Sequence, residues 1–213
     1  MRTDDLVTML ATGAGAVQPN QAARRYATAV GCGALGAALL MAVLLGPRHD
    51  FAAAMLQPMF WAKVVFVTSF AAASLLAALR LSRPGLSLAW VPGVLSVPVL
   101  AIWLLAAIVL MRADPAQRSV LFFGDTWNSC PFLIALLSAP VFVAVVWAMK
   151  GLAPTRLCIA GAAAGLLSGA VGTVVYSVHC PELEAPFIGF WYLLGMLIPA
   201  TVGALLGPRL LRW

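Results

Sequence analysis

The sequence predicts an all-α integral membrane protein: a bundle of six transmembrane helices with a short cytoplasmic N-terminal segment. Of its 213 residues, 63% are hydrophobic and only 9% are charged, whereas soluble domains carry about a quarter charged residues. The mean hydropathy is +1.00. Apolar runs of about 20 residues recur along the chain, and each is long enough to cross a bilayer as a helix.

Prolines and charged residues mark most ends of the apolar runs, as in Gly46-Pro47-Arg48 and Gly207-Pro208-Arg209. Because proline cannot continue a helix freely, these positions are stop signals. The predicted spans are 26–45, 60–81, 88–111, 131–149, 157–179 and 187–206. Residues 1–25 then form the cytoplasmic segment and residues 26–213 the membrane domain, and no separate soluble domain fits.

The distribution of basic residues predicts the orientation of the chain. Cytoplasmic loops carry an excess of lysine and arginine. Nine basic residues fall on one side of the six spans and four on the other, which predicts that both termini are cytoplasmic. The nine are Arg2, Arg24, Arg25, Arg80, Arg83, Lys150, Arg156, Arg209 and Arg212, and the four are Arg48, Lys63, Arg112 and Arg118.

Several functional classes are disfavoured by what the sequence lacks. It contains no phosphate loop and no HExxH, GxSxG or CxxC motif, so a thioredoxin-like enzyme is not expected. No acid or base lies in the middle of a span, whereas ion pathways and proton relays need intramembrane ionisable groups. Lys63 is near enough to a span end that its ammonium group is expected to reach the lipid–water interface.

Gly161, Gly165 and Gly169 are spaced four apart on the fifth span. Small residues at this spacing allow two membrane helices to approach closely. The pattern favours packing inside the bundle, with a homodimer interface as the alternative.

Two Cys-Pro pairs stand where spans meet the outer membrane face. The fourth and fifth spans form a hairpin closed at 151–155, with Cys130 about 23 residues before that turn and Cys180 about 27 after it. At 1.5 Å per residue, both cysteines reach a similar depth. Cys130 also begins a helix, where the dipole favours a thiolate.

The chemistry of the pair stays open between three interpretations. Cys130 and Cys180 can form a structural disulfide, respond to oxidants or metal ions, or be incidental. His179 adjoins Cys180, and together with the two thiols and Glu182 or Asp125 it offers ligands of the kind that hold transition metals. Cys32 and Cys158 are interpreted as small buried apolar residues.

The N-terminal segment predicts a short amphipathic helix. Asp4 and Asp5 suit its first turn, and Leu6 and Leu10 lie on an apolar stripe. A glycine-rich stretch ending at Pro19 is then predicted to be a flexible linker. Such a helix can dock into the groove of a partner protein, or it can lie on the lipid surface.

These features occur together in a known family. The stretches TDDLVTML, FWAK, TWNSCPFLIALLSAP and VVYSVHCPE, with the C-terminal run FWYLLGMLIPATVGALLGPRLLRW, resemble the NrsF-type membrane anti-sigma factors of proteobacteria along essentially the whole chain. The resemblance implies six membrane helices and inhibition of an extracytoplasmic-function (ECF) sigma factor at the bacterial inner membrane. It maps the family's two functional cysteines onto Cys130 and Cys180.

The resemblance also maps the sigma-binding segment onto Asp4, Asp5, Leu6 and Leu10, and the neighbouring His179 and Trp127 are candidates to support sensing. The leading hypothesis is a non-enzymatic anti-sigma factor that releases its partner on oxidative or metal stress. Its expected partners are the ECF sigma factor and the lipid bilayer, without direct nucleic-acid contact. No resident cofactor is expected, although a transition-metal ion can be the signal. The alternatives are a membrane thiol-disulfide redox enzyme and a structural subunit of a larger complex.

Overall fold

The structure is a computed structural model that describes residues 2–13, 20–83, 89–152 and 154–212, and it is built from helices joined by turns. Six helices are long and apolar enough to cross a membrane, which confirms the predicted fold class. The six are α2 (Gln21–Leu44), α4 (Pro58–Leu81), α5 (Val91–Arg112), α7 (Cys130–Lys150), α8 (Leu157–Tyr176) and α9 (Ala185–Leu210). Three shorter helices are α1 (Thr3–Gly13), α3 (Phe51–Met55) and α6 (Pro115–Phe123).

The helix ends differ from the predicted spans by a few residues. The first span begins at Gln21, because residues 21–25 are good helix formers and continue the helix beyond the apolar run. The fifth ends at Tyr176 and the sixth begins at Ala185. The predicted start of the third span, Leu88, lies outside the described residues. Helices α3 and α6, which the sequence did not indicate, lie between spans.

Helix α8 is the centre of the bundle. Two thirds of its most apolar stretch is buried, more than for any other span within the described chain. It packs against α9, α7, α4 and α2. Because nine of the 20 residues of α8 are alanine or glycine, neighbouring backbones can approach it closely.

The glycine face of α8 is used inside the bundle, as predicted. A side-chain carbon added at Gly161 would overlap the backbone of Gly203 on α9, and one added at Gly165 would overlap Pro199. At Gly169 the added carbon would lie 2.8 Å from the Met196 carbonyl oxygen. The face that offered a homodimer interface is therefore occupied by α9 of the same chain.

The contacts between loops define two ends of the bundle. At one end, Arg48 and Lys63 reach the segment around Cys180; this is the thiol end. At the other, the Arg25 side chain lies against Gly151, at the turn between α7 and α8. The start of α2 and the end of α9 both lie at this second end, opposite the cysteines, since Gly207 packs on Leu157.

Candidate functional site

The thiols of Cys130 and Cys180 meet at the thiol end. Both residues are fully buried, both are free thiols, and their sulfur atoms are within hydrogen-bonding range of each other. Cys130 is the first residue of α7, and Cys180 follows the end of α8. The predicted common depth of the two cysteines is therefore confirmed.

Local turns bring each cysteine to this position. The backbone N–H of Cys130 donates to the Thr126 carbonyl at 2.9 Å, which closes the turn that starts α7, and proline follows within the first helical turn. The backbone N–H of Cys180 donates to the Tyr176 carbonyl at 3.0 Å. This bond wraps the end of α8 back over its last turn and points Cys180 toward Cys130.

Two tyrosines line the pocket around the thiols. The Tyr176 hydroxyl is within hydrogen-bonding range of both sulfur atoms. Tyr192 is fully buried and faces Cys180, and its hydroxyl is the one buried side-chain oxygen or nitrogen in the described ranges without an aligned partner. Tyr192 ends a π-helical turn, Ile188–Tyr192, inside α9. Such turns are frequent at functional sites because they redirect side chains.

Lys63 was expected to extend toward the lipid–water interface, but its side chain is fully buried inside the protein. Its Nζ donates to the carbonyl oxygens of Cys180 at 2.9 Å and of Glu182 at 3.0 Å, and it lies 5.3 Å from the centre of the Tyr192 ring. These hydrogen bonds offset part of the free-energy cost of removing the ammonium group from water. The ammonium interacts more strongly with Cys180 than with Cys130.

The Glu182 carboxylate joins the two loops that carry the cysteines. It accepts hydrogen bonds from the Asp125 backbone N–H at 2.9 Å and from the Thr126 hydroxyl at 3.4 Å. Gly124 has a φ of 55°, and a side-chain carbon there would lie 2.8 Å from the carboxylate. The backbone conformation therefore favours glycine here, and a larger residue would displace the Glu182 carboxylate.

The loop after α2 braces the segment on its other side. Arg48 donates to the Pro181 carbonyl at 3.4 Å and pairs with Asp50 through two bonds of 2.6 Å. This ion pair lowers the pKa of the Asp50 carboxyl and raises that of the Arg48 guanidinium. His179 Nδ1 lies 2.8 Å from the Gly46 carbonyl oxygen and so fixes the loop.

The described part of the chain shows no arrangement of ligands that supports the predicted metal site. Within it, no group of three or more His, Cys, Asp and Glu side chains could hold a metal ion. The structure brings together the two thiols of the candidate set Cys130, Cys180 and His179, and it uses one ring nitrogen of His179 to hold a backbone carbonyl.

The electrostatics of the pocket favour charge on Cys180. The hydrogen bond from the Cys130 thiol lowers the pKa of the Cys180 thiol, the nearby Lys63 ammonium and the Glu182 backbone N–H add to this, and burial opposes it. The sequence had placed the activating influence at Cys130, through the helix dipole. It could not show the cationic groups Lys63 and Arg48 beside Cys180.

Trp127 belongs to an aromatic cluster beside the pocket. Its ring lies 5.6 Å from that of Phe123 and 5.4 Å from that of Trp191, between centroids. The Trp191 Nε1 donates to the Phe122 carbonyl at 2.9 Å. The cluster fixes α6 against α9 next to Tyr192, so Trp127 adjoins the thiol pocket through Trp191.

The N-terminal helix has the predicted arrangement. Asp4 and Asp5 lie in the first turn of α1. Leu6 and Leu10 share one face and are 38% and 64% exposed. The flexible linker predicted after this helix falls largely on residues 14–19, outside the described residues.

Cys32 and Cys158 correct a second interpretation. Both were expected to be buried, but both are exposed on the surface of membrane-spanning helices, α2 and α8.

Comparison with known proteins shows the family to which the chain belongs. A family model described as "NrsF: Negative regulator of sigma F" matches residues 10–213. The chain belongs to the NrsF family. It is 65% identical over 213 residues to a probable anti-sigma-F factor NrsF of Azospira oryzae, and 39% identical over 217 residues to the anti-sigma-F factor NrsF of Caulobacter vibrioides. Both alignments cover 100% of each chain. No solved structure matches this NrsF-family chain.

Sequence reasoning missed the residues that surround the thiols: Lys63, Tyr176, Tyr192, Arg48 and the bonding role of Glu182. One signal was available, since Lys63 stands alone among apolar residues early in a membrane span. A buried charge in such a position is expensive and marks a functional site by default.

Proposed function

We propose that this protein is a transmembrane anti-sigma factor that holds a cognate ECF sigma factor at the bacterial inner membrane and releases it on oxidative or metal stress. The observation that carries the proposal is full-length similarity to two relatives named as anti-sigma-F factors. The sigma factor is held by α1 on the cytoplasmic side, away from RNA polymerase, and Cys130 and Cys180 are the stress-responsive groups.

The exposed face of α1 supports the sigma-binding role. Leu6 and Leu10 stand one helical turn apart and point to solvent, in a helix of 11 residues. Isolated helices shorter than about 12–15 residues are marginal in water, so a partner's groove would stabilise this one. Asp4 and Asp5 lie in the first turn, where negative charge stabilises the helix. The two carboxylates also give α1 a negative charge that a basic partner surface could bind.

The position of the thiol pair supports the sensing role. Cys130 begins α7 and Cys180 follows α8, and the turn between these helices lies at the end of the bundle where α2 begins. A bond between the thiols would fix the separation of α7 and α8 at the thiol end. A coupling of about 1–3 kcal/mol between the ends would change sigma occupancy several-fold or more.

The test of sigma binding is a pull-down of the sigma factor by the full chain and by the double variant Leu6→Asp, Leu10→Asp. Burying a leucine contributes roughly 1.5–3 kcal/mol, so losing two weakens binding by about two orders of magnitude or more. Deletion of residues 2–12 should have the same effect.

The matched control is Thr8→Asp, Thr12→Asp, which adds the same charge on the opposite face of α1. Both threonines are exposed, and their hydroxyls bond only to backbone carbonyls of α1. This control should retain the sigma factor. Equal capture by the leucine and threonine variants would refute docking through the apolar face.

The adjacent thiols also suit the alternative of a membrane thiol-disulfide redox enzyme. Such an enzyme must present a sulfur atom to a quinone or a protein disulfide, both far larger than a hydroperoxide, whereas Cys130 and Cys180 are both fully buried. Reduction of a quinone or a protein disulfide by the purified chain would favour the enzyme over the sensor.

A further inference from the structure

We propose that Cys180 is the thiol that an oxidant attacks first, that Cys130 is the thiol that resolves the product, and that the buried Lys63 is the positioning residue that sets this order. This inference rests on the proposed function and deepens it, since it names the chemical class of the signal as a small hydroperoxide and assigns a role to each group in the pocket.

The surroundings of the two sulfur atoms differ. Cys180 is close to the Lys63 ammonium and to the Arg48 guanidinium, and the Glu182 backbone N–H donates toward its sulfur. The Tyr192 hydroxyl faces the same sulfur without an aligned partner of its own. Four donor or cationic groups therefore converge on Cys180, and each stabilises negative charge there.

Cys130 has a different role in the same geometry. Its thiol donates a hydrogen bond to Cys180, and its main polar side-chain neighbour besides Cys180 is the Tyr176 hydroxyl. In this arrangement the Cys130 thiol is the donor and the Cys180 sulfur is the acceptor, so the hydrogen bond stabilises negative charge on Cys180. Cys130 is also already adjacent to the atom that it must attack once Cys180 has been oxidised.

The buried Lys63 holds this asymmetry in place. Two of the three donors on its ammonium group are bonded to the carbonyl oxygens of Cys180 and Glu182. The charge is thereby fixed on the Cys180 side of the pocket. Within a pocket shielded from water, such a charge acts with less screening than it would at the surface.

The reaction balances with a hydroperoxide as the oxidant. The Cys180 thiolate attacks the terminal peroxide oxygen and the O–O bond breaks. The group that leaves, hydroxide from hydrogen peroxide or alkoxide from an organic hydroperoxide, takes up the proton lost by Cys180 to become water or an alcohol. Cys180 is then a sulfenic acid. The Cys130 sulfur attacks it, an S–S bond forms, and the hydroxide that leaves takes the Cys130 proton as water. The two thiols lose two electrons, and the hydroperoxide gains them.

The order of reaction is tested on the purified full chain in lipid nanodiscs, with hydrogen peroxide as the oxidant and a dimedone probe that traps sulfenic acid. Cys130→Ser isolates Cys180, and Cys180→Ser isolates Cys130. We expect the probe to label Cys180 about tenfold faster than Cys130, since the first-reacting thiol is the one with more thiolate character. Equal labelling, or faster labelling of Cys130, would overturn the assignment.

The role of Lys63 is tested by Lys63→Met in the Cys130→Ser background, with Lys150→Met at the opposite end of the bundle as the matched charge-removing control. We expect Lys63→Met to slow sulfenic acid formation at Cys180 about five- to tenfold, and Lys150→Met to leave it unchanged. A purely structural lysine gives the opposite sign, because losing its bonds to the Cys180 loop would open the pocket and speed oxidation. An unchanged or faster rate therefore contradicts the proposal.

The two cysteine variants keep the test decisive if Lys63→Met does not fold, because the labelling order does not depend on it. No sigma factor takes part in these measurements. If Cys180 is oxidised first but sigma capture does not change, the order of oxidation is supported and the proposed function is rejected. If sigma release depends on the cysteines but Cys130 is labelled first, the proposed function is supported and the order of oxidation is rejected.

Discussion

At the scale of single residues, Glu182 controls how tightly the thiol pocket is closed. Its carboxylate bonds to the loop before α7, while its own backbone oxygen accepts from Lys63. We predict that Glu182→Ala raises the reaction rate of the buried thiols with N-ethylmaleimide about fivefold. Hydrogen bonds to charged groups contribute about 1.5–3 kcal/mol, and partial exposure reduces this to about 1 kcal/mol of local opening free energy.

The matched control is Glu184→Ala, because Glu184 is exposed and lies in the same loop. Its backbone oxygen accepts from the Ile188 N–H, a bond that the substitution retains. Maleimide labelling of this control should match that of the unchanged protein. If Glu182→Ala and Glu184→Ala label equally fast, the loop is not held by the Glu182 carboxylate.

The cysteines and the lysine show what could be predicted at this scale. The common depth of Cys130 and Cys180 could be calculated from the sequence, because helical rise per residue is regular. The direction in which the Lys63 side chain points could not be calculated in this way. It depends on carbonyl acceptors at Cys180 and Glu182, which are more than a hundred positions away along the chain. Local sequence carries no information about such acceptors.

At the scale of helices, the closeness of α8 and α9 is the feature that organises the bundle. We predict that Gly165→Ala lowers the unfolding free energy in detergent by about 1–3 kcal/mol, the usual cost of overpacking. The added methyl group would overlap the Pro199 backbone, which cannot move aside as a flexible side chain can. Thermal unfolding followed by circular dichroism measures the effect.

Gly31→Ala is the control for the helix-packing prediction. Gly31 lies inside α2 with nothing within 4 Å of the added carbon, so the same substitution meets open space. Its melting temperature should stay the same or rise slightly, since alanine is the better helix former. A similar loss of stability in both variants would show that α8–α9 packing is not the cause.

The helices also show which elements a hydropathy pattern can predict. All six spans were predicted because each is a long apolar run. Helices α3 and α6 were missed because they are short, at 5 and 9 residues, and lie in the loops between spans. The π-helical turn Ile188–Tyr192 was also missed, because an apolar run looks the same whether its helix is regular or contains such a turn.

At the scale of the whole molecule, the two ends of the bundle are predicted to face different compartments. Alkaline phosphatase, which is active only in the periplasm, should be active when fused after Asp114 and inactive when fused after Trp213. The reason is the nine-to-four distribution of basic residues between the two sides. Periplasmic activity of the fusion after Trp213 would contradict the orientation and, with it, cytoplasmic binding by α1.

The central claim is that two thiols at one end of the bundle control a protein held at the other. The most direct measurement is capture of the sigma factor by the full chain in membranes, before and after exposure to hydrogen peroxide. The unchanged protein should lose its partner on oxidation, whereas Cys130→Ser, Cys180→Ser and the double variant should each retain it to the same extent. Cys32→Ser and Cys158→Ser should respond as the unchanged protein does. Normal release by the Cys130→Ser, Cys180→Ser double variant would contradict the account.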